Sequence, residues 1–276
     1  MKFLRLVMIS RSSLLALAVS LPAPLAGTLA LPLALGFIAQ LATGCSSIEN
    51  RDTTTPEGAF KSAEDFEKDE RYEEAIAKYS DVKNKFPYSR FAADAELKIA
   101  DLQFKRESYP EAQGAYQLFK EFHPKHPQSD YVTYRLALSY YNQLPSTIDR
   151  DLALADKAIL YFDETANSYP NSPYAKEAKE KREACLKMLA GKEMYIAQFY
   201  DKRKMYESAL HRYETVLKSY PNLGLDAEAL YGAAKCSFET GERDRGLQHI
   251  KNLYSQYPSS SEAKKAKDEF KKFGAN

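Results

Sequence analysis

The side chains of this sequence with the widest chemical range are three cysteines, Cys45, Cys185 and Cys236, and four histidines. A disulfide framework needs several cysteines, and a structural zinc site needs its ligands grouped at short spacings. Three scattered cysteines give neither. Cys185 and Cys236 read as separate buried thiols in helices, with a single disulfide in an oxidising compartment as the alternative. Two histidines are close, in His123-Pro124-Lys125-His126-Pro127. A proline after each makes this a turn, whereas the two-histidine zinc pattern lies on an unbroken helix. Acidic pairs such as Asp69-Glu70 and Glu73-Glu74 flank a turn and read as solvated positions, not as general acid and base. There is no phosphate-binding glycine loop, nucleophile elbow or paired-cysteine redox motif. The expectation is a protein that is not an enzyme, with no cofactor and no metal.

Cys45 has a different context. Lys2, Arg5 and Arg11 open the chain, and no further charge occurs until Glu49. Between them runs an apolar stretch from Leu14 to Leu41, interrupted by Pro22, Pro24 and Pro32, which fits an export signal better than a spanning helix. It ends in Leu41-Ala42-Thr43-Gly44-Cys45. Small residues at the two positions before a cysteine, after an apolar run, resemble a bacterial lipobox. The departure is Ala42, where that pattern usually has leucine, with Leu41 one place earlier. The resemblance implies that residues 1–44 are a lipoprotein signal peptide, that the Cys45 thiol carries diacylglycerol, and that its new amine carries an acyl chain of the palmitate type. Cleavage removes three cations from a chain of net charge +1 and leaves −2. Acyl chains, not a basic patch, must then hold the protein to the bilayer. Ser46, where resembling inner-membrane lipoproteins carry Asp, points to the periplasmic face of the outer membrane, and residues 45–55 read as a lipidated tether. The whole chain is 28% charged, with 39 basic and 38 acidic residues among 276. Its mean hydropathy is −0.52. This excludes a polytopic membrane protein and gives no field that would gather nucleic acid.

Few glycines and many aromatics, 11 Gly against 20 Tyr and 14 Phe, favour helices over a turn-rich β domain. One spacing recurs five times: a small residue, an apolar or aromatic one four later, and a proline eight after that. The instances are Ala75/Tyr79/Pro87, Ala112/Tyr116/Pro124, Ala158/Phe162/Pro170, Ala209/Tyr213/Pro221 and Gly246/Ile250/Pro258. A spacing of four puts small and large residues on one helical face, where a second helix can approach over the small one. Proline then stops the helix. Upstream lies a partner helix with its own small and aromatic positions, such as Ala59, Ala63 and Phe66, or Ile196, Ala197 and Tyr200. Two long intervals mark insertions: a loop around 142–150, and the stretch 172–191, whose alternating Lys and Glu predict an extra exposed helix with a solvated charged face. Ser259-Ser260-Ser261-Glu262 has a capping-box pattern, followed by Ala263, Ala266, Phe270 and Phe273 on one stripe.

These helix pairs resemble the tetratricopeptide repeat. That resemblance implies an all-α, right-handed superhelical solenoid over 56–276, with five helix pairs ending near 87, 124, 170, 221 and 258 and a C-terminal capping helix. The segments Phe86-Pro87-Tyr88-Ser89-Arg90-Phe91, His126-Pro127-Gln128-Ser129-Asp130-Tyr131-Val132-Thr133-Tyr134, Tyr169-Pro170-Asn171-Ser172-Pro173-Tyr174-Ala175 and His211-Arg212-Tyr213-Glu214 are similar to the BamD family, lipoproteins of the outer-membrane β-barrel assembly machinery. The similarity reaches from the lipobox to about Pro221. It departs at 143–150, where many members carry a longer loop rich in glycine and aromatics. The resemblance implies a non-catalytic scaffold whose N-terminal repeats receive unfolded β-barrel proteins and whose C-terminal repeats dock the barrel-forming subunit BamA. The client-binding candidates are Phe86, Tyr88, Phe91, Tyr131 and Tyr134, with Phe104 in the same cluster. Arg212 falls where the family presents an arginine to BamA. The residues by themselves support a membrane-tethered helical scaffold for proteins, and two alternatives stand beside the assembly role: a repeat lipoprotein piloting a secretin or pilus component, and a periplasmic cell-wall enzyme on a helical frame. Cys45→Ala is expected to leave an unprocessed precursor or a protein without lipid, and mass spectrometry of the mature amino terminus checks it.

Overall fold

A computed structural model describes residues 51–274. The signal segment, Cys45 and most of the tether lie outside the described residues. Ten helices follow in pairs: α1 (Pro56–Lys68) with α2 (Tyr72–Lys85), α3 (Arg90–Lys105) with α4 (Tyr109–Phe122), α5 (Ser129–Tyr141) with α6 (Ala153–Ser168), α7 (Ala175–Lys202) with α8 (Tyr206–Ser219), and α9 (Asp226–Glu239) with α10 (Arg243–Gln256). A short α11 (Ser261–Glu269) and a single 3-10 turn (Lys271–Phe273) complete the described chain. Each helix packs on its neighbours in sequence, and α11 lies on α9 and α10. Among the described residues there is no strand. The architecture is an all-α solenoid of five helix pairs.

The recurring spacing explains the packing. Ala75, Ala112, Ala158 and Ala209 are fully buried, as are Tyr79, Tyr116 and Phe162 four residues on. In the fifth pair the small residue is Gly246 because a Cβ there would stand 2.7 Å from the Phe238 ring. The prolines explain the helix ends. Each second helix stops two residues before its proline, and the intervening residue, Phe86, His123, Tyr169, Tyr220 or Tyr257, has φ between −134° and −124° and ψ between 48° and 60°. A residue before proline is driven out of the α region by the ring Cδ.

The turns inside the pairs use other chemistry. Arg71 N donates to Phe66 O at 2.9 Å, Ser108 N to Gln103 O at 2.9 Å, and Met205 N to Tyr200 O at 3.0 Å, each a six-to-one bond closing a helix end. The residue just before each donor is left-handed: Glu70 at φ 58°, Glu107 at 60° and Lys204 at 60°. Glycine is the usual occupant there, so each of these turns carries a cost of roughly 1 kcal/mol. At the start of the domain, Thr55 accepts from Gly58 N at 3.1 Å and Pro56 opens α1 without a lost donor.

Two expectations are corrected. The charged run after Ser172 is not a separate exposed helix: from Ala175 it is the front of α7, which continues through Gly191 to Lys202 as one rod of 28 residues. Lys176, Lys179 and Glu180 do face solvent, but Ala178, Cys185, Ala190 and Met194 form a buried stripe on the opposite side. Gly191 lies within the helix with Ile148 of the preceding insertion packed beside it, and Lys192 Nζ donates to Arg150 O at 3.0 Å. At the C-terminus, Ser260 and not Ser259 caps α11, accepting from Ala263 N at 3.1 Å. Glu262 then sits one residue too early to return the bond, and takes the Ser261 hydroxyl at 2.8 Å instead. The expected stripe does pack: Ala263, Ala266 and Phe270 are buried, and the Phe273 ring stacks on Phe238 at 4.2 Å.

Ala112→Leu or Ala209→Leu should overpack a closed helix contact and lower stability by about 1 to 3 kcal/mol. Urea or thermal melting of either variant measures it.

Candidate functional site

Of the six aromatic residues expected to receive clients, five fall into two groups and one stands apart. Phe86 and Phe91 pack on the first core cluster, with the Phe91 ring 5.4 Å from Phe60 and the Arg90 guanidinium 4.8 Å above Phe91. Tyr88, on the turn after Pro87, is fully exposed and packs on neither group. Phe104, Tyr131 and Tyr134 pack on the second cluster. Tyr134 is 5% exposed and stacks on Tyr174 at 5.0 Å. Tyr131 lies 5.6 Å from the same ring. Packing therefore accounts for Tyr134 fully and for Phe86, Phe91, Phe104 and Tyr131 in part.

Around the second group the chain buries charge. Tyr116 and Tyr131 both donate to Asp101 Oδ1, at 2.6 and 2.7 Å. Arg135 Nε donates to the Tyr116 oxygen at 3.2 Å, and its guanidinium lies 3.6 Å from the Phe104 ring centre. Burial pushes the Asp101 carboxyl above its usual range even though the two hydroxyls pull the other way. Desolvation first, and then the Asp101 charge, raise both tyrosines above theirs. This network ties α3, α4 and α5 together at one junction.

Arg212, on α8, is half-exposed and its Nη1 donates to Glu193 of α7 at 2.9 Å. The His123–His126 turn holds no cation cluster: His123 Nε2 meets Glu96 at 2.8 Å, and both imidazoles pack on Phe119, at 4.7 and 5.0 Å. Among the described residues no group of three metal-ligating side chains converges. Cys185 and Cys236 are buried and unpaired in different cores. Burial pushes their thiols up to about 11 and about 12, so neither is a thiolate at neutral pH.

Sequence reasoning passed over an exposed apolar strip. Leu118 and Phe122 on α4 are 54% and 72% exposed, and border a groove of about 170 Å³ with Ile99, Ala115, Lys83 and Glu96. Their signal was present as an i,i+4 apolar pair off the Ala112/Tyr116 face. A second strip, Tyr195, Phe199 and Met205, is about half exposed, with Arg203 3.5 Å above the Phe199 ring.

Against known proteins, residues 52–236 match the model of the YfiO family, described as outer membrane lipoprotein. The chain belongs to the YfiO/BamD family. Residues 228–260 also match a tetratricopeptide repeat. The outer membrane protein assembly factor BamD of Neisseria gonorrhoeae is 29% identical over 212 residues, 74% of this chain and 79% of that protein. BamD of Rickettsia prowazekii (strain Madrid E) is 30% identical over 190 residues, 69% of this chain and 75% of that protein. The family match continues to residue 236, past Pro221, where the resemblance was expected to weaken. Among the described residues no helix is long and apolar enough to cross a membrane.

Tyr134→Ala should lower stability by about 3 to 5 kcal/mol, as for other large buried rings. Tyr88→Ala should change it by less than about 0.5 kcal/mol. Parallel urea titrations of the two variants separate the packed ring from the presented one.

Proposed function

We propose that this chain is a non-catalytic factor for the assembly of β-barrel proteins into the outer membrane. The observation that carries the reading is the family match across 52–236, together with relatives that are themselves named outer membrane protein assembly factors. In this reading Cys45 anchors the protein to the periplasmic face of the outer membrane through its acyl chains. A tether of about ten residues precedes α1, a reach of at most about 35 Å if fully extended, so the first repeats stay near the bilayer.

The N-terminal repeats receive unfolded clients and the C-terminal repeats dock BamA. For clients, Tyr88 and Phe91 are the better candidates, because one is fully exposed and the other stands at the adjoining turn. Tyrosine offers apolar area together with a hydrogen-bonding tip, which suits an extended strand with aromatic side chains. For BamA, Arg212 is positioned by one nitrogen on Glu193, leaving the rest of its planar fork for a partner carboxylate.

Pull-down of the tagged full chain in mild detergent tests the reading: BamA should accompany it, and a secretin in its place would overturn the assembly role. Arg212→Glu should release BamA while leaving helicity intact. Since that change also sets two glutamates side by side, Glu193→Gln serves as the control and should retain BamA. Unchanged retention by Arg212→Glu at physiological salt would remove Arg212 from the docking surface.

A further inference from the structure

The repeats share a register that makes their junctions comparable. Glu67, Phe104 and Asp201 each lie eight residues before the packed alanine of their repeat, Ala75, Ala112 and Ala209. At the first junction Glu67 of α1 meets Lys98 of α3 at 3.2 Å. At the fourth, Asp201 of α7 meets Lys235 of α9 at 2.9 Å. Both are acid–cation latches between successive repeats.

The two middle junctions keep the cation and lose the acid. Phe104 occupies the acid's place at the second, and the Arg135 guanidinium lies 3.6 Å from its ring centre. At the third, Tyr141 stands 37 residues after Phe104, the same interval as from Pro87 to Pro124. The Lys181 ammonium lies 4.9 Å from the Tyr141 ring centre. Neither cation has an ion-pair partner among the described residues. Arg135 uses Nε on Tyr116, and Asp101, the acid that acts on it, takes the Tyr116 and Tyr131 hydroxyls through Oδ1.

We propose that Arg135 and Lys181 form a two-point receptor for the carboxylates of an extended acidic polypeptide segment laid across the second and third repeat junctions. A cation held on an aromatic face keeps its charge and loses little freedom when an anion arrives. The guanidinium fork donates two parallel N–H bonds to one carboxylate, and the ammonium holds a second carboxylate as a point charge. Two receptors in consecutive repeats call for two carboxylates. Side chains along one segment supply them, whereas a chain terminus supplies one. Solenoids bind extended chains in this way, one contact per repeat along a continuous surface. The inference goes beyond the assembly role, because it fixes the chemistry of a bound segment whatever protein carries it.

The test is fluorescence anisotropy of the full chain in mild detergent with a labelled peptide of alternating glutamate and threonine, and with its glutamine–threonine counterpart. The glutamate peptide should bind at least about tenfold more tightly than the glutamine one, and added salt should weaken it. Lys181→Gln, which removes no hydrogen bond seen within the chain, should weaken the glutamate peptide severalfold, and Arg135→Gln with Lys181→Gln should weaken it about tenfold or more. Because Arg135 also braces Tyr116, Phe104→Glu gives an independent arm. It restores the acid found at the first and fourth junctions, engages Arg135 internally, and should weaken the peptide with the helical signal intact. Equal binding of the two peptides, no binding by the native chain, or undiminished binding in Lys181→Gln and Phe104→Glu would overturn the proposal. None of these outcomes bears on BamA co-purification, so the two readings fail separately.

Discussion

Everything in this solenoid depends on one arrangement: a buried small residue with a buried large one four residues on along the same helix, repeated once per helix pair. A single pair cannot bury both faces of its helices, so stability accrues only when repeats stack. Alanine sets how closely the axes approach, and the large residue one turn on fills the space that results. Gly246 shows the limit of this rule, since Phe238 leaves no room even for a methyl group. The same close approach brings the first helices of successive pairs together, and so creates the junctions where Glu67 meets Lys98 and Arg135 meets Phe104.

Burial of tyrosine in place of leucine has a consequence for those junctions. A tyrosine ring fills the core, but its hydroxyl must find a partner at the edge of the packed layer. Tyr79 finds Glu67 at 2.7 Å, and Tyr116 finds Asp101 at 2.6 Å. The acids are thereby fixed in place, and Lys98 follows on Glu67. Core composition and inter-repeat electrostatics are one arrangement: removing a tyrosine hydroxyl would release an acid as well as leave a void.

The helix ends at proline and the packed faces were legible because both follow from steric rules that act on adjacent residues. The turns inside the pairs were not legible. In the first, second and fourth pairs their left-handed positions are held by Glu70, Glu107 and Lys204, residues that carry no turn signal, and the closing bond runs between backbone atoms; the fifth pair has a glycine there, Gly241. The continuity of α7 was hidden for a related reason. Gly191 reads as a breaker from sequence, yet a glycine inside a helix costs only about 1 kcal/mol, and Ile148, in a loop far upstream, packs beside it where the helix carries on. The site was legible as a set of ring-bearing residues but not as a surface. Tyr88 and Tyr134 are the same residue type, but Tyr88 lies on the turn after Pro87 and is exposed, whereas Tyr134 lies within α5 and is covered by Tyr174, brought over it by the next repeat.

The long helix links what would otherwise be two stacks. Ala178 and Cys185 near its start belong to the core built by the second and third repeats, while Met194 and Ala197 near its end belong to the core of the fourth. No loop interrupts the 28 residues between Ala175 and Lys202, so the backbone offers no hinge at that point. Arg212 is bonded to Glu193 on this helix, and the Lys181 ammonium lies over Tyr141 from its other half. Lys181, one of the two cations proposed to hold an extended segment, is therefore carried on a rod of about 42 Å, at 1.5 Å per residue, to which Arg212 of α8 is tied through Glu193. Two surfaces on a common rigid element keep a fixed separation, so a partner held at one end stands at a set distance from a chain held near the middle. For a scaffold with no chemistry of its own, that fixed placement is what it has to contribute.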